Sequence, residues 1–117
     1  MTETQIQHDA RMRLEDEPVA HLAQWLVSNL GPHLTAFAVD SPSVDQIAHG
    51  STPDGPTERR VRNLYAVAWL LSVEDGPGSA HAWLVEVNAE LGHRCPAQVL
   101  HDGGDVESVW LAAAPVF

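Results

Sequence analysis

Residues 64–71 read LYAVAWLL, a run of eight side chains without a charge in the middle of the 117-residue chain. Upstream, Thr57 and Glu58 suit a helix start, where a hydroxyl caps the first turn and an acid meets its positive end. The pattern predicts a long helix over residues 57–73. Because this helix is apolar on almost every face, neighbours must cover it on several sides. The run therefore predicts a central helix around which the rest of the chain packs.

Shorter helices are predicted on the N-terminal side of the central helix. A first helix has apolar residues at helical spacing and ends at Gly31 and Pro32; its stripe is Val19, Leu22, Leu26 and Leu30. Two short helices then follow over residues 33–39 and 43–49, with a turn at residues 40–42 between them. Helix, turn and helix at this spacing are typical of a helix-turn-helix, and also of many small bundles.

Further helices are predicted after the central one. Glycine and proline at residues 76–78 end the central helix, and Ser79 is expected to cap the next. Apolar residues at helical spacing predict that this next helix continues to the residue before Gly92; they are Ala80, Trp83, Leu84, Val87 and Leu91. A short helix opens at Pro96, and a last one follows the turn at residues 102–104. No run alternates with period two for long enough to form a strand.

We therefore predict an all-α fold, a compact bundle of about six or seven short helices. Residues 1–17 are polar and are expected to form a tail of low order. Residues 18–56 hold a degenerate helix-turn-helix, and residues 57–117 hold a helical domain. Because a chain of this length suits a single hydrophobic core, these two regions are expected to form one compact unit.

Composition indicates the environment of the chain. No stretch of about 18 uncharged apolar residues is present, so no membrane span is expected. Residues 1–9 lack the apolar core of a secretion signal. Cys95 is the only cysteine and has no intramolecular partner, which indicates a reducing compartment. These features together predict a cytoplasmic protein.

The charge balance is strongly acidic. The chain has 16 acidic residues and six basic ones, all of them arginine, and its net charge is −10. Such a charge repels nucleic acid and anionic membranes at long range and favours a basic partner. An acidic surface also keeps a protein in solution, so the charge alone leaves both interpretations open.

The residue types that carry catalysis form no familiar motif. The sequence has no glycine-rich phosphate loop, no metalloprotease histidine pair and no paired-cysteine zinc spacing. The nearest approach to a metal site is the group His93, Cys95, His101 and Asp102, whose spacing matches no common ligand set. A nucleophile pair of Cys95 with a histidine lacks a third, orienting group. We therefore expect neither an enzyme nor a bound metal or cofactor.

Four tryptophans lie on apolar helical stripes, which favours core packing; they are Trp25, Trp69, Trp83 and Trp110. Tryptophan is also enriched where proteins bind one another, so one or two of the four could instead anchor a partner. We expect core positions for Trp69 and Trp83 and leave Trp110 open.

Between positions 60 and 117, a set of residues has a recognisable order and spacing. An arginine-led helix ends in Leu64-Tyr65, and a glycine turn precedes the closing helix. Between them come Trp83-Leu84, Asn88, Leu91-Gly92, Pro96 and Val99-Leu100. In this order the residues resemble the toxin-binding domain of the MbcA/ParS/Xre antitoxin family. Many members of that family have proline immediately before the asparagine, where this chain has Val87.

The resemblance implies an antitoxin of a bacterial type II toxin–antitoxin pair. Such an antitoxin neutralises a cognate RES-domain toxin, an NAD-consuming enzyme, by direct binding through its C-terminal part. The residues expected to bind the toxin are Trp83, Asn88, Trp110, Val116 and Phe117. The apolar residues 114–117 are hypothesised to dock into the toxin, because a terminal phenylalanine has little other reason to be exposed.

Two alternative functions remain open at this stage. The first is a helix-turn-helix regulator that binds operator DNA, with Gln46 and His49 at base edges. Its phosphate contacts would come from Arg59, Arg60 and Arg62; the alternative for these three, at the start of a bundle helix, is pairing with neighbouring acids. Residues 33–56 contain no arginine or lysine, which disfavours DNA binding by a monomer, whereas a homo-oligomer or a toxin-bound assembly would bring the arginines together. The second alternative is an orphan helical adaptor domain.

Overall fold

A computed structural model describes the backbone of residues 17–103 and 106–113. Within these ranges it describes all side chains except those of Glu74, Asp75, Pro77, Val106, Glu107, Trp110 and Leu111. The described chain forms helices and no strand, so the predicted all-α bundle is confirmed. The helices are α1 (Val19–Leu30), α2 (Pro32–Val39), α3 (Val44–Ala48), α4 (Gly55–Asp75), α5 (Pro77–Val85), a 3₁₀-helix (Ala89–Leu91), α6 (Pro96–His101) and α7 (Val106–Ala113).

The central helix predicted from residues 64–71 is α4. It packs against α1, α2, α5 and α7. Its buried side chains lie on every face, as the sequence pattern predicts; they are Val61, Leu64, Tyr65, Ala66, Val67, Ala68, Leu70 and Leu71. Trp69 is partly buried and packs against the same core, as expected for it.

One hydrophobic core includes residues from both predicted regions of the chain. Trp25 of α1 meets Tyr65 of α4 edge to face, with ring centroids 5.4 Å apart. Phe37 of α2 stacks on His101 of α6 at 4.2 Å, and the His101 Nδ1 donates a hydrogen bond to the Phe37 carbonyl at 2.8 Å. Residues 18–56 therefore pack directly on the C-terminal helices.

The predicted helix–turn–helix spacing is present. Gly31, at a φ of 90°, separates α1 from α2, and a four-residue connection over residues 40–43 joins α2 to α3. The Thr35 hydroxyl, fully buried, donates to carbonyls at the end of α1 and so holds this corner closed. The α3 helix covers only five residues, fewer than the 43–49 span expected, and it packs mainly on α1.

The predicted cap of α4 at Thr57 was wrong, because the helix starts upstream of that residue. The helix begins at Gly55, and the carboxylate of Asp54 accepts a hydrogen bond from the Thr57 N–H at 2.8 Å. Pro56 suits the first turn because a helix leaves that N–H unbonded in any case. The next helix, α5, likewise begins at Pro77 after Gly76, and not at Ser79 as expected.

The predicted continuation of α5 to Leu91 was also wrong. The helix ends at Val85, and Glu86 is extended, with φ −88° and ψ 137°. Asn88 then begins a separate 3₁₀-helix, since its side-chain oxygen accepts a hydrogen bond from the Glu90 N–H at 2.9 Å. Gly92 and His93 have positive φ values of 69° and 61°, which turn the chain back beside Asn88.

None of the described helices combines the length and the apolar composition that crossing a membrane requires. Residues 1–16 of the predicted tail, and the Val116 and Phe117 positions, lie outside the described residues.

The Asp54 cap generates a prediction about the pH dependence of stability. Hydrogen bonds from the Thr57 side chain and backbone N–H hold the pKa of the Asp54 carboxyl below its ordinary value of 3.8. The carboxylate therefore stabilises the fold above pH 3.8, and this contribution is lost as the pH falls through the lowered folded-state pKa. Asp54→Asn keeps a capping oxygen but cannot titrate.

We expect the wild type to be more stable than Asp54→Asn near neutral pH, and this difference to shrink as the pH falls below about 4. Urea unfolding of both proteins at a series of pH values measures the difference directly, because other carboxylates titrate equally in the two. A stability difference that does not change with pH would contradict the assignment.

Candidate functional site

A short corner of the chain lies at the C-terminal end of α5, over residues 83–90. Its surface forms a shallow depression of about 240 Å³, lined by Trp83, Glu86, Val87, Asn88 and Ala89. The structure thus brings together Trp83 and Asn88, two of the residues expected to bind a toxin. We refer to residues 83–90 as the α5 corner.

Asn88 builds the α5 corner through its own hydrogen bonds. Its backbone N–H donates to the Arg94 carbonyl at 3.0 Å, and its own carbonyl accepts from the N–H groups of Leu91 and His93. Its side-chain oxygen caps the 3₁₀-helix through Glu90. Because the backbone and the side-chain oxygen are committed to these bonds, Asn88 holds the shape of the corner.

Valine side chains supply the apolar surface at the corner. Val85 is 49% exposed and Val87 is 64% exposed, which places both among the large hydrophobic residues that the described fold leaves in contact with solvent. Trp83 is half-buried and packs against the core, as expected for it, and it is also one of the residues that line the depression. A partner that covers Val87 would remove a large apolar side chain from water.

Sequence reasoning missed the exposure of Val85 and Val87. Val87 was assigned to the buried stripe of a helix that ends two residues before it. The available signal was the Val85-Glu86-Val87 alternation of β-branched and polar residues directly before an asparagine, which favours an extended segment followed by a cap.

The corner is electronegative. Glu86 and Glu90 are both exposed, and Glu86 occupies the C-terminal cap position of α5. A helix C-terminus carries partial negative charge, and the last turn of α5 contains no basic residue to offset it. The nearby Arg94 is occupied, since its guanidinium bonds the Leu91 carbonyl at 3.3 Å and lies 3.5 Å from the Asp102 carboxylate.

The other side chains expected to bind the toxin lie outside the described part of the structure. Trp110 lies on α7, which contacts the 3₁₀-helix, but its side chain is outside the described part. Val116 and Phe117 are outside it altogether. The roles of these three residues stay predictions.

The residues expected to read DNA bases lie on the surface of α3 and directly after it. Gln46 and His49 are exposed, and so is Asp45, which directly precedes Gln46 in α3. The His49 Nδ1 donates to the Asp45 carbonyl at 2.7 Å and lies 3.9 Å from the Asp45 carboxylate. An acidic side chain on this surface repels phosphate.

Two of the three arginines expected at phosphates hold the fold together. The Arg60 guanidinium donates to the carbonyls of Leu100 and His101, at 3.0 and 3.2 Å, and so joins α4 to the end of α6. Arg62 donates to the Glu58 carboxylate at 3.2 Å and to the Glu17 carbonyl at 3.0 Å. Arg59 is exposed.

The group His93, Cys95, His101 and Asp102 does not converge on one point. His93 is exposed, Cys95 packs against the core, and His101 is engaged with Phe37. Among all the residues that the structure describes, no three His, Cys, Asp or Glu side chains are arranged to hold a metal ion.

No protein-family model, curated protein or solved structure matches this chain.

The contacts of Arg60 give a testable contrast with its neighbour. Arg60→Met removes two charge-assisted hydrogen bonds to carbonyls at the end of α6, so we expect the free energy of unfolding to fall by about 1–3 kcal/mol. Arg59→Met is the matched control, and its effect is expected to stay within about 0.5 kcal/mol because this arginine is exposed. Chemical denaturation measures both values. Equal effects of the two substitutions would refute the structural role of Arg60.

Proposed function

We propose that this chain is the antitoxin of a bacterial type II pair and neutralises a RES-domain, NAD-consuming toxin by binding it through the α5 corner. The proposal begins from the resemblance of residues 60–117 to the MbcA/ParS/Xre toxin-binding domain. The single observation that assigns the proposed contact to the α5 corner is the depression on its surface. Trp83 and Asn88, which the resemblance associates with the toxin, line it together with the exposed Val87.

Neutralisation by binding requires a surface and no catalytic group. The α5 corner offers two exposed apolar side chains, Val85 and Val87, with the acidic Glu86 and Glu90 beside them. Apolar side chains next to polar and charged groups are the usual composition of a protein interface. The net charge of −10 supports a basic toxin surface, because opposite charges speed the encounter of two proteins.

The proposal assigns no role in DNA binding to α3. Its exposed face combines Gln46 with the acidic Asp45, and two of the three arginines expected at phosphates, Arg60 and Arg62, bond other parts of the chain. We propose the cytoplasm as the site of action, because toxin and antitoxin meet where the toxin consumes NAD.

The test is growth rescue in cells that express the RES-type protein encoded beside this chain. The wild type is expected to restore growth. Val87→Lys is expected to fail, since it places a cation in the proposed apolar contact with a basic partner and weakens the complex at least about tenfold. Val73→Lys is the matched control: Val73 is an exposed valine of α4, outside the corner, and its variant should rescue as the wild type does.

Circular dichroism of both variants checks that each is folded. Failure of the wild type to rescue growth would contradict the antitoxin proposal. Equal rescue by Val87→Lys and Val73→Lys would contradict the assignment of the α5 corner. Retardation of its own promoter DNA by the purified chain in a low-salt gel, together with failure to rescue growth, would favour the regulator alternative.

A further inference from the structure

The backbone of the α5 corner has one free edge. Asn88 pairs with Arg94 as an antiparallel bridge, and both the N–H and the carbonyl of Asn88 point toward residues 91–94. Successive residues of an extended segment direct these groups to opposite sides. The N–H and carbonyl of Val87 therefore face away from Arg94, and among the described residues neither has a hydrogen-bond partner.

An unpaired edge of this kind is the backbone feature that recognises an extended peptide. A residue placed antiparallel to Val87 can accept from its N–H and donate to its carbonyl, which gives two hydrogen bonds without any change in the fold. The exposed Val87 side chain then provides apolar contact for the side chains of that peptide.

The charges at the edge specify the chemistry of the peptide. Glu86 lies directly beside Val87 and also at the C-terminal end of α5, where a carboxylate is poorly placed relative to the helix dipole. Glu90 adds a second exposed acid to the same corner. A lysine or arginine of a bound peptide would interact favourably with both carboxylates and with the end of the helix.

We propose that the α5 corner binds an extended, basic segment of the partner protein, which adds as a short antiparallel strand to Val87 and places a cation at Glu86. This inference rests on the proposed function, since it names how the same corner recognises the toxin.

The probe that tests the inference is an end-blocked pentapeptide of alternating arginine and valine, added to the ¹⁵N-labelled full chain and followed by NMR. The peptide is expected to shift the amide resonance of Val87 with a saturable dependence on concentration, and the shift is expected to weaken with salt. Two control peptides accompany it. One replaces arginine by glutamate, and the other carries N-methyl groups on its three interior amides; neither is expected to shift Val87.

Variants of the chain provide the second arm. Val87→Pro removes the N–H, and Glu86 already has the extended conformation that a following proline requires, so the fold should persist. We expect it to bind the arginine–valine peptide about fivefold more weakly, measured on the amide resonance of Asn88 because residue 87 then has none. Glu86→Gln should weaken binding about twofold to fivefold at low salt, whereas Asp45→Asn on α3 should leave it unchanged.

The outcomes separate this inference from the antitoxin proposal. An unshifted Val87 resonance, or equal binding of the N-methylated peptide, overturns strand addition even if the wild type rescues growth. Rescue by Val87→Pro at the level of the wild type, with unaltered toxin affinity, overturns it as well. Peptide binding at Val87 without any rescue by the wild type supports the strand edge and refutes the RES toxin as its partner.

Discussion

The burial of α4 on all its sides is the constraint on which the rest of the structure depends. Val61, Leu64 and Val67 are completely buried, and each such side chain stabilises the fold by about 1.5–3 kcal/mol relative to exposure. No single neighbour can cover a helix that is apolar all round, so α1, α2, α5 and α7 must all pack on it. The same packing holds α5 in place and leaves the residues after it at the surface.

The elements that sequence reasoning predicted are those decided by local features. The apolar run at residues 64–71 indicates the central helix, and Gly31-Pro32 indicates the break between α1 and α2; neither depends on distant contacts. The end of α5 is different. A periodicity of apolar residues counted Val87 as buried, but Asn88 begins a new turn and bonds Arg94, six residues away, which helical periodicity does not reveal.

At the candidate site, too, some residues were predicted from the sequence and others only become visible in the folded chain. Trp83 and Asn88 were expected from the resemblance, and both line the depression. The exposed Val87 beside them was missed because the sequence does not show where a helix yields to an extended segment. Arg60 was expected at phosphates, and its structural role was missed because its bonds to Leu100 and His101 join positions about 40 residues apart, which only the folded chain brings together.

The central claim is that the partner covers the α5 corner and leaves α3 exposed. Amide hydrogen exchange, measured on the free chain and on its complex with the co-expressed RES-type protein, tests it most directly. Slower exchange in the complex at residues 86–90, with unchanged exchange at residues 44–49, is the result that the account predicts. Slower exchange confined to residues 44–49, with no change at the corner, would contradict it.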